Sequence, residues 1–182
     1  MADPIVIRRA VPSDSEGIAR VHVRSWQSAY RGLFPDEFLD GLRWEDWKPR
    51  WDARFSNSPS PLLYVAANPI GEVLGFAGGG PTRDEDLAPS QVYELYAIYL
   101  APEIWRTGIG ARLLETVLDE IPNEARWLSL WALTDNRQGR KFYESQGFKL
   151  DGATKMADIG GQQVEVVRYL RELSSVGGVH LR

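Results

Sequence analysis

Two glycines, Gly108 and Gly110, stand where a strand pattern gives way to a helix pattern, and this junction most constrains the fold. Residues 93–100 are aromatic and β-branched, Pro102 interrupts them, and residues 113–121 carry apolar side chains at helical spacing. The first turn of a helix has N–H groups without a partner inside the helix, and glycine lets backbone approach a ligand closely. The junction therefore predicts either a cradle for a phosphate or a turn that needs glycine only for its shape.

Composition narrows the class of protein. The length of 182 residues predicts one domain over residues 1–173, followed by a C-terminal tail over residues 174–182 that we expect to be flexible. The chain has no cysteine and two distant histidines, His22 and His180, which argues against a metal site or a histidine-based triad. We expect His22 to be a half-buried helix residue and not a catalyst.

Charge and hydropathy limit the kinds of partner that we expect this protein to bind. The net charge is −4 and no long basic run occurs, so we expect no binding to nucleic acid. No apolar run approaches the ~20 residues of a membrane span, and the N-terminus lacks a signal-peptide pattern. We therefore predict a cytoplasmic protein without membrane association. The oligomeric state stays open, with a homodimer as one alternative.

Periodicity and turn residues predict an α/β fold with one mixed, mostly antiparallel sheet and helices on both faces. The first helix is expected to begin at a capping box formed by Ser13 and Glu16 and to end near Tyr30. A third helical segment contains Pro49, which is expected to interrupt it. Strands are predicted over residues 5–9, 62–67, 72–79, 91–100, 127–133, 148–156 and 163–173, and helices over 35–42, 44–55, 108–121 and 136–146.

Three polar side chains outside this junction could carry chemistry. Glu94 lies on the strand before the glycines, Asn136 begins a helix, and Tyr143 lies within that helix. Glu94 and Ile98 are four residues apart, so they share one face of the strand if no bulge intervenes. A carboxylate can take a proton from an amine, and a phenol can donate one to a leaving group.

Together these segments resemble the GCN5-related N-acetyltransferase (GNAT) superfamily. Its glycine signature has Gln or Arg, two variable residues, Gly, one variable residue, and Gly or Ala. Gly108 and Gly110 match its glycines, but Trp105 stands in place of Gln or Arg. Because the cradle acts mainly through backbone N–H groups, this departure should not harm coenzyme binding. Further segments resemble the family's fourth strand, its asparagine after the fifth strand, and its second motif: Ile98 to Pro102, Asn136, and Phe142 to Phe148.

The resemblance implies acetyl-CoA as cosubstrate. The pyrophosphate would lie on the glycine loop, the pantetheine arm would pair with the strand before it, and Tyr143 would lie near the thiol sulfur. The implied coenzyme-binding residues are Ile98, Tyr99, Leu100, Arg106, Thr107, Gly108, Ile109, Gly110, Ala111, Asn136 and Tyr143.

Glu94 and Tyr143 are the implied catalytic residues, with Glu94 as general base and Tyr143 as general acid. Each has a structural alternative: Glu94 could be an ion-paired carboxylate, Tyr143 a packed aromatic, and Asn136 a helix N-cap. Trp26 and Tyr30 are candidates for binding the acceptor, with Phe34, Trp51 and the acidic loop 84–86 as weaker ones. The alternative for the aromatic residues is packing in the core, and the alternative for the acidic loop is that it is merely solvated.

The resulting hypothesis is an N-acetyltransferase in which a small-molecule or peptide amine attacks acetyl-CoA directly through a tetrahedral intermediate. A non-catalytic module that binds or senses acyl-CoA on the same fold is the alternative, because fold does not settle function. An unrelated nucleotide binder fits less well, since the loop lacks the Lys-Ser/Thr pair of a Walker motif.

Overall fold

Seven strands and five α-helices make up the part of the chain that the computed structural model describes, residues 5–57 and 62–173. None of these helices is both long and apolar enough to cross a lipid bilayer. The predicted tail over residues 174–182 lies outside the described residues. The strands are β1 (Val6–Arg9), β2 (Leu62–Ala67), β3 (Val73–Pro81), β4 (Val92–Leu100), β5 (Trp127–Leu133), β6 (Lys149–Ile159) and β7 (Gln162–Glu172). The helices are α1 (Ser15–Ala29), α2 (Asp36–Asp40), α3 (Trp44–Asn57), α4 (Ile109–Asp119) and α5 (Arg137–Ser145).

All seven strands form one sheet in the order β1-β2-β3-β4-β5-β7-β6. Neighbouring strands are antiparallel except β4 and β5, which run parallel and are joined by the crossover helix α4. The prediction of a mixed, mostly antiparallel sheet is confirmed. The single parallel pair lies at the centre of the sheet, directly beside the glycine junction.

Alternating residues of β2 show how the two faces of the sheet are covered. Leu63 and Val65 pack against α1 and α3, whereas Leu62, Tyr64 and Ala66 pack into the cluster that contains α4. Successive side chains of a strand point to opposite faces, so helices cover both faces, as predicted. Burial of each large apolar side chain in these clusters contributes roughly 1.5–3 kcal/mol.

The start of α1 differs from the prediction. Ser13 and Glu16 form no capping box, because a short 3₁₀ turn over Pro12–Asp14 precedes the helix and makes Asp14 the N-cap residue, without a side-chain hydrogen bond to α1. Asp14 accepts hydrogen bonds from the Val11 N–H at 2.8 Å and from Arg8 at 2.7 and 2.8 Å. The arginine neutralises a carboxylate that the fold buries, and the carboxylate bonds to the segment before the helix and not to its first turn.

The third helix also differs from the prediction, because α3 continues through Pro49. Proline removes one backbone hydrogen bond from a helix interior. Trp47 and Trp51, on either side of it, both pack into the cluster beneath α1. Tertiary packing thus holds a helix that the local sequence disfavours.

Candidate active site

An opening in the sheet lies where β4 and β5 separate. The two strands pair only at their first residues, where Val92, Tyr93 and Glu94 face Trp127, Leu128 and Ser129. Beyond this point β4 continues to pair with β3, while β5 continues to pair with β7. The edges that the two strands would otherwise share therefore face a space between them.

Two cavities meet at this opening. The first, the Glu94 cavity, has a volume of about 470 Å³ and is lined by Arg83, Glu94, Trp131 and Lys155 among others. The second, the glycine-loop cavity, has a volume of about 760 Å³ and extends between the glycine loop and the first half of α5. Residues that line both cavities are Tyr30, Ile98, Tyr99, Asn136 and Tyr143. Ligands in the two cavities would therefore touch each other at these five residues.

The two glycines of the loop meet different demands. Gly108 has a φ of +87° at the N-cap of α4, with open space where a Cβ would stand. Arg106, with a φ of +62°, is the one non-glycine residue with positive φ in the described ranges. A Cβ on Gly110 would lie 3.2 Å from a Leu100 methyl and 3.4 Å from the Phe142 ring. Gly108 is needed for its backbone conformation, whereas Gly110 is needed for close packing.

The loop residues predicted to hold coenzyme divide into two groups. Arg106, Gly108, Gly110 and Ala111 line the glycine-loop cavity. Two others have different side-chain contacts: the Thr107 hydroxyl donates to the Ile104 carbonyl at 2.7 Å, and the Ile109 side chain is buried in the core. Thr107 and Ile109 can therefore reach a ligand in this cavity through their backbone alone.

Trp105, the position that departs from the family pattern, binds the end of β4. Its indole Nε1–H donates to the Leu100 carbonyl at 2.8 Å, and the Ser25 hydroxyl donates to the same oxygen at 2.6 Å. Trp105 thus ties the glycine loop to β4, and Ser25 ties α1 to the same point. A half-buried indole N–H needs a hydrogen-bond acceptor, and the fold decides which acceptor it finds.

Part of the β4 backbone points away from β3, toward the opening. The Ala101 N–H donates to the Leu74 carbonyl across the β3–β4 pair at 2.8 Å. In an antiparallel pair, alternate residues direct both backbone groups toward and away from the partner strand. Leu100 and Ile98 therefore direct their N–H and carbonyl groups away from β3. The Ile98 N–H lies beyond the residues of β4 that pair with β5.

Asn136 acts as the N-cap of α5, since its Oδ1 accepts a hydrogen bond from the Gly139 N–H at 3.0 Å. Asn136 therefore has the structural role of a helix N-cap, which was the alternative to coenzyme binding. The same side chain lines both cavities, so capping does not remove it from the opening.

Tyr143 lies on the wall that the two cavities share. Its hydroxyl makes no hydrogen bond within residues 5–57 and 62–173. Burial raises the pKa of Tyr143 above its ordinary value, with a smaller contribution from nearby Tyr99. The phenol therefore stays protonated at neutral pH and keeps a free donor at the junction of the cavities.

Glu94 is held by Arg83. The Glu94 side chain is 3% exposed, and it accepts hydrogen bonds from Arg83 Nη2 at 2.5 Å, Nε at 3.1 Å and the backbone N–H at 3.0 Å. The bond to Glu94 raises the pKa of Arg83. Both carboxylate oxygens are occupied, so Glu94 is an ion-paired carboxylate in this structure.

A β-bulge changes the face on which Glu94 lies. Leu95 pairs with Gly79 and Ala97 pairs with Gly78, which leaves Tyr96 as an extra residue on β4. Leu95 and Ile98 consequently pack on one face of the sheet, although their spacing is odd. The expectation that Glu94 and Ile98 share a face fails, because the bulge shifts the alternation by one residue.

The aromatic residues predicted for the acceptor side also divide. Trp26 and Tyr30 line the Glu94 cavity, and the Tyr30 and Tyr99 hydroxyls lie 3.4 Å apart. Trp26 Nε1 is buried without a hydrogen-bond partner among the described residues. Phe34 and Trp51 lie in the core and line neither cavity, whereas Tyr30 belongs to the core and also lines both cavities.

His22 is more deeply buried than its sequence context predicts. It stacks on Tyr99 with ring centroids 4.6 Å apart, and its neighbours on other sides are Trp47, Trp51 and Phe76. Burial lowers the pKa of His22 to about 3, with a smaller contribution from the positive charge of Arg50. The imidazole is therefore neutral at physiological pH and serves as a packed ring beneath Tyr99.

The acidic loop is used by the protein itself. Asp84 and Asp86 both accept hydrogen bonds from Arg168 of β7, which is 5% exposed and also bonds to Asp151. Sequence reasoning missed this ion cluster, although an arginine within the apolar run of β7 signals a buried cation that needs acidic partners. Attraction of a substrate by free carboxylates of Asp84 and Asp86 is not supported.

Comparisons with known proteins place these features among acetyltransferases. A profile described as the acetyltransferase (GNAT) family matches residues 23–148, which include the glycine loop, the opening and Tyr143. An uncharacterized N-acetyltransferase of Bacillus subtilis, YuaI, is 36% identical over 110 residues, and that match spans 60% of each chain. A probable N-acetyltransferase of Mycobacterium tuberculosis, Rv2775, is 30% identical over 155 residues, which is 82% of this chain and 83% of the relative.

Among solved structures, the PaiA N-acetyltransferase of Thermoplasma acidophilum in complex with coenzyme A superposes with a TM-score of 0.68. It is 24% identical in sequence, and the match covers 93% of this chain and 99% of that one. The sheet and the helices of this chain are therefore arranged as in that N-acetyltransferase structure.

Proposed function

The chain belongs to the acetyltransferase (GNAT) family, and from that premise we propose that it transfers an acetyl group from acetyl-CoA to a primary amine. The observation that carries this proposal is the meeting of two cavities at the opening between β4 and β5. A thioester entering from one side and an amine entering from the other would meet between the Ile98 backbone and the Tyr143 hydroxyl. Such positioning alone supplies a large part of the rate enhancement in reactions of two bound substrates.

In this proposal the glycine-loop cavity holds the coenzyme. The N–H groups of the loop and the first turn of α4 bind the pyrophosphate, aided by the positive end of the helix dipole. The pantetheine arm lies along the free edge of β4 as an added strand. That pairing ends at Leu100, because its carbonyl already accepts hydrogen bonds from Trp105 and Ser25. The relative with bound coenzyme A has the same fold, which supports this assignment.

The chemistry needs a site for the oxyanion and a donor for the leaving group. The amine nitrogen attacks the thioester carbon, and the carbonyl oxygen becomes an oxyanion that accepts a hydrogen bond from the Ile98 N–H. The carbon–sulfur bond then breaks, and Tyr143 donates its proton to the departing thiolate. Burial keeps the phenol protonated before this step, because it raises the pKa of Tyr143. Overall, the amine loses one proton to the base, the coenzyme sulfur gains the Tyr143 proton, and solvent returns a proton to the phenolate.

Glu94 is the proposed base for the amine proton, acting directly or through one water. Since Arg83 occupies both carboxylate oxygens, Glu94 can accept this proton only when it releases at least one of those bonds. Arg83 is thus a positioning residue for Glu94.

The occupied carboxylate also favours a second candidate, a non-catalytic module that binds acyl-CoA. Against it stand the free Tyr143 hydroxyl at the shared wall and the naming of the relatives as N-acetyltransferases. We therefore favour the enzyme.

The test is release of free thiol from acetyl-CoA in the presence of a panel of primary amines, with the N-acetylated product identified by mass. Turnover with at least one amine is expected. Coenzyme A binding by calorimetry without thiol release from any amine would favour the non-catalytic module.

Glu94→Gln tests the base within the same assay. We expect kcat to fall about tenfold or more and the pH–rate profile to change, with the KM for acetyl-CoA unaltered. The matched control is Glu85→Gln, an exposed carboxylate on the neighbouring loop, which should change neither. An unaltered pH–rate profile in Glu94→Gln would remove Glu94 as base.

A further inference from the structure

Two cations stand at the mouth of the Glu94 cavity, and acetyl transfer as proposed above leaves their outward donors unused. Arg83 and Lys155 both line this cavity, with side chains 64% and 48% exposed. Their carboxylate partners are far less accessible, since the side chains of Glu94 and Asp84 are 3% and 10% exposed. A molecule that enters the cavity therefore meets positive charge before it meets negative charge.

The two carboxylates that line this cavity are already occupied. Glu94 is held by Arg83, as described above. Asp84 accepts hydrogen bonds from Trp131 Nε1 at 2.9 Å and from Arg168 Nη1 at 3.3 Å, and it lies 3.4 Å from Lys155 Nζ. Among the described lining residues, neither carboxylate is therefore free to bind a positively charged group of the acceptor.

The two cations, by contrast, keep donors for a ligand. Arg83 Nη1 has no hydrogen-bond partner in the described ranges, and Lys155 Nζ has only its long contact with Asp84. Each cation also rests on an aromatic face: Arg83 lies 4.0 Å from the ring centroid of Tyr96, and Lys155 lies 3.8 Å from that of Trp131. These contacts hold both side chains in place before a ligand arrives, which lowers the entropic cost of binding.

The cations come from separate parts of the fold. Arg83 follows β3, and Lys155 belongs to β6, two strands beyond β5 in the sheet order. Both are linked to the same acidic loop, because Lys155 contacts Asp84 and Arg83 directly precedes it. Side chains from two distant segments thus converge on one cavity, where an anionic group could bind to both.

We infer that the acceptor is a primary amine that also carries a carboxylate, and that Arg83 and Lys155 bind this carboxylate. The apolar body of the acceptor then lies between Trp26 and Trp131, with its amine directed toward Tyr143. Charge-assisted hydrogen bonds to a carboxylate are roughly twice as strong as neutral ones, and arginine suits this group geometrically. This inference rests on the proposed function and specifies its acceptor class.

Matched acceptors test the inference. Two sets of three are compared by thiol release: ω-aminohexanoate, its amide and hexylamine, and then phenylalanine, its amide and phenethylamine. In at least one set the carboxylate member should have a kcat/KM about tenfold above those of its two neutral relatives. Equal or higher kcat/KM for the amide and the simple amine in both sets would overturn the inference while leaving the proposed function intact.

Lys155→Gln tests the clamp without disturbing the Arg83–Glu94 pair. It should lower kcat/KM for the carboxylate acceptor roughly threefold to tenfold, through KM, and leave that of the neutral amine unchanged. Lys149→Gln, at an exposed lysine of the same strand, is the matched control and should change neither. An equal loss for charged and neutral acceptors would contradict a carboxylate contact.

The failure of the proposed function is distinguishable from failure of this inference. If no amine releases thiol while coenzyme A still binds, the proposed function fails. Calorimetric titration of the coenzyme A complex with ω-aminohexanoate and with hexylamine then decides the inference. Tighter binding of the carboxylate supports it, and equal binding overturns it.

Discussion

The two cavities that meet at the opening in the sheet are built in different ways. The glycine-loop cavity depends mainly on backbone: the positive φ of Gly108, the close approach allowed by Gly110, and the free edge of β4. The Glu94 cavity depends on side chains from distant segments, such as Arg83 after β3 and Lys155 on β6. A site built from backbone groups depends less on the identity of individual side chains than a site built from charged and aromatic side chains.

This difference assigns separate roles to the two halves. Backbone N–H groups are common to all sequences that adopt the loop, so the first half suits a coenzyme shared across a family. Charged and aromatic side chains can vary without altering the fold, so the second half suits the choice of acceptor. A substitution that changes the binding of only one ligand, coenzyme or acceptor, would support this division between the two cavities. A substitution in one cavity that changes the binding of both ligands would contradict it.

The largest effect is expected for Tyr143→Phe, on the wall shared by both cavities. Loss of the donor to the leaving thiolate should lower kcat about a hundredfold, while the Kd for coenzyme A changes less than about twofold. Steady-state kinetics and calorimetry give both values. Tyr99→Phe, which removes a hydroxyl that contacts Tyr30 at the same junction, is the control and should cost much less. Unchanged turnover in Tyr143→Phe would exclude the donor role.

Gly110→Val should damage the backbone-built half alone. A Cβ would already stand 3.2 Å from the Leu100 side chain, so a branched side chain must displace β4 or α5. We expect a loss of about 1–3 kcal/mol in the free energy of unfolding and roughly tenfold weaker coenzyme A binding. The KM for the amine should stay constant. Gly108→Ala meets open space and reports the cost of positive φ separately, and a shifted amine KM in Gly110→Val would contradict the division between the halves.

Trp105→Phe should have a smaller effect in the same half. It removes one of two hydrogen bonds to the Leu100 carbonyl, and Ser25 retains the other. The expected loss is about 0.5–1.5 kcal/mol in the free energy of unfolding. A double-mutant cycle with Ser25→Ala, measured by urea unfolding, should show coupling between the two donors. Strict additivity would mean that they do not share this acceptor.

His22→Phe should have the smallest effect on catalysis at neutral pH, because the imidazole is already neutral there. Its pKa is lowered from 6.5 to about 3 in the fold, so the unfolded chain binds the extra proton first as pH falls. This group therefore stabilises the fold fully above pH 6.5, and the stabilisation is lost between pH 6.5 and 3, with a slope of up to about 1.4 kcal/mol per pH unit. Urea unfolding at several pH values in this range gives the free energy of unfolding as a function of pH. This free energy should fall less steeply with falling pH in His22→Phe than in the wild type. An identical pH dependence would mean that His22 is solvated in the fold.

The sequence predicted most of the fold, and it predicted the glycine turn before α4, because both depend on local signals. Apolar periodicity gave the strands and helices to within a few residues, and the glycine junction marked the start of α4. Two local predictions were wrong for tertiary reasons. The Ser13–Glu16 cap does not form because a 3₁₀ turn makes Asp14 the N-cap residue, with its carboxylate bound to Arg8, and α3 continues through Pro49 because its tryptophans are packed.

The acceptor half could be predicted only in part. Trp26 and Tyr30, predicted to bind the acceptor, line the Glu94 cavity, whereas Phe34 and Trp51 lie in the core and line neither of the two cavities. The ion pair between Arg83 and Glu94 depends on which face Glu94 occupies, and the bulge at Tyr96 sets that face.

The sequence by itself determined that a strand, a glycine turn and a helix form a backbone cradle, because each of those signals lies within a few residues of the next. Only the tertiary structure decided what Glu94 and Lys155 contact, because their partners Arg83 and Asp84 lie in the loop after β3, which is distant from Lys155 in the chain. Backbone conformation is dictated locally by sterics and turn residues, whereas the contacts of a side chain depend on how distant segments pack. The resemblance that implies a coenzyme is therefore visible in the sequence, whereas the proposed acceptor class rests on contacts that exist only in the folded cavity.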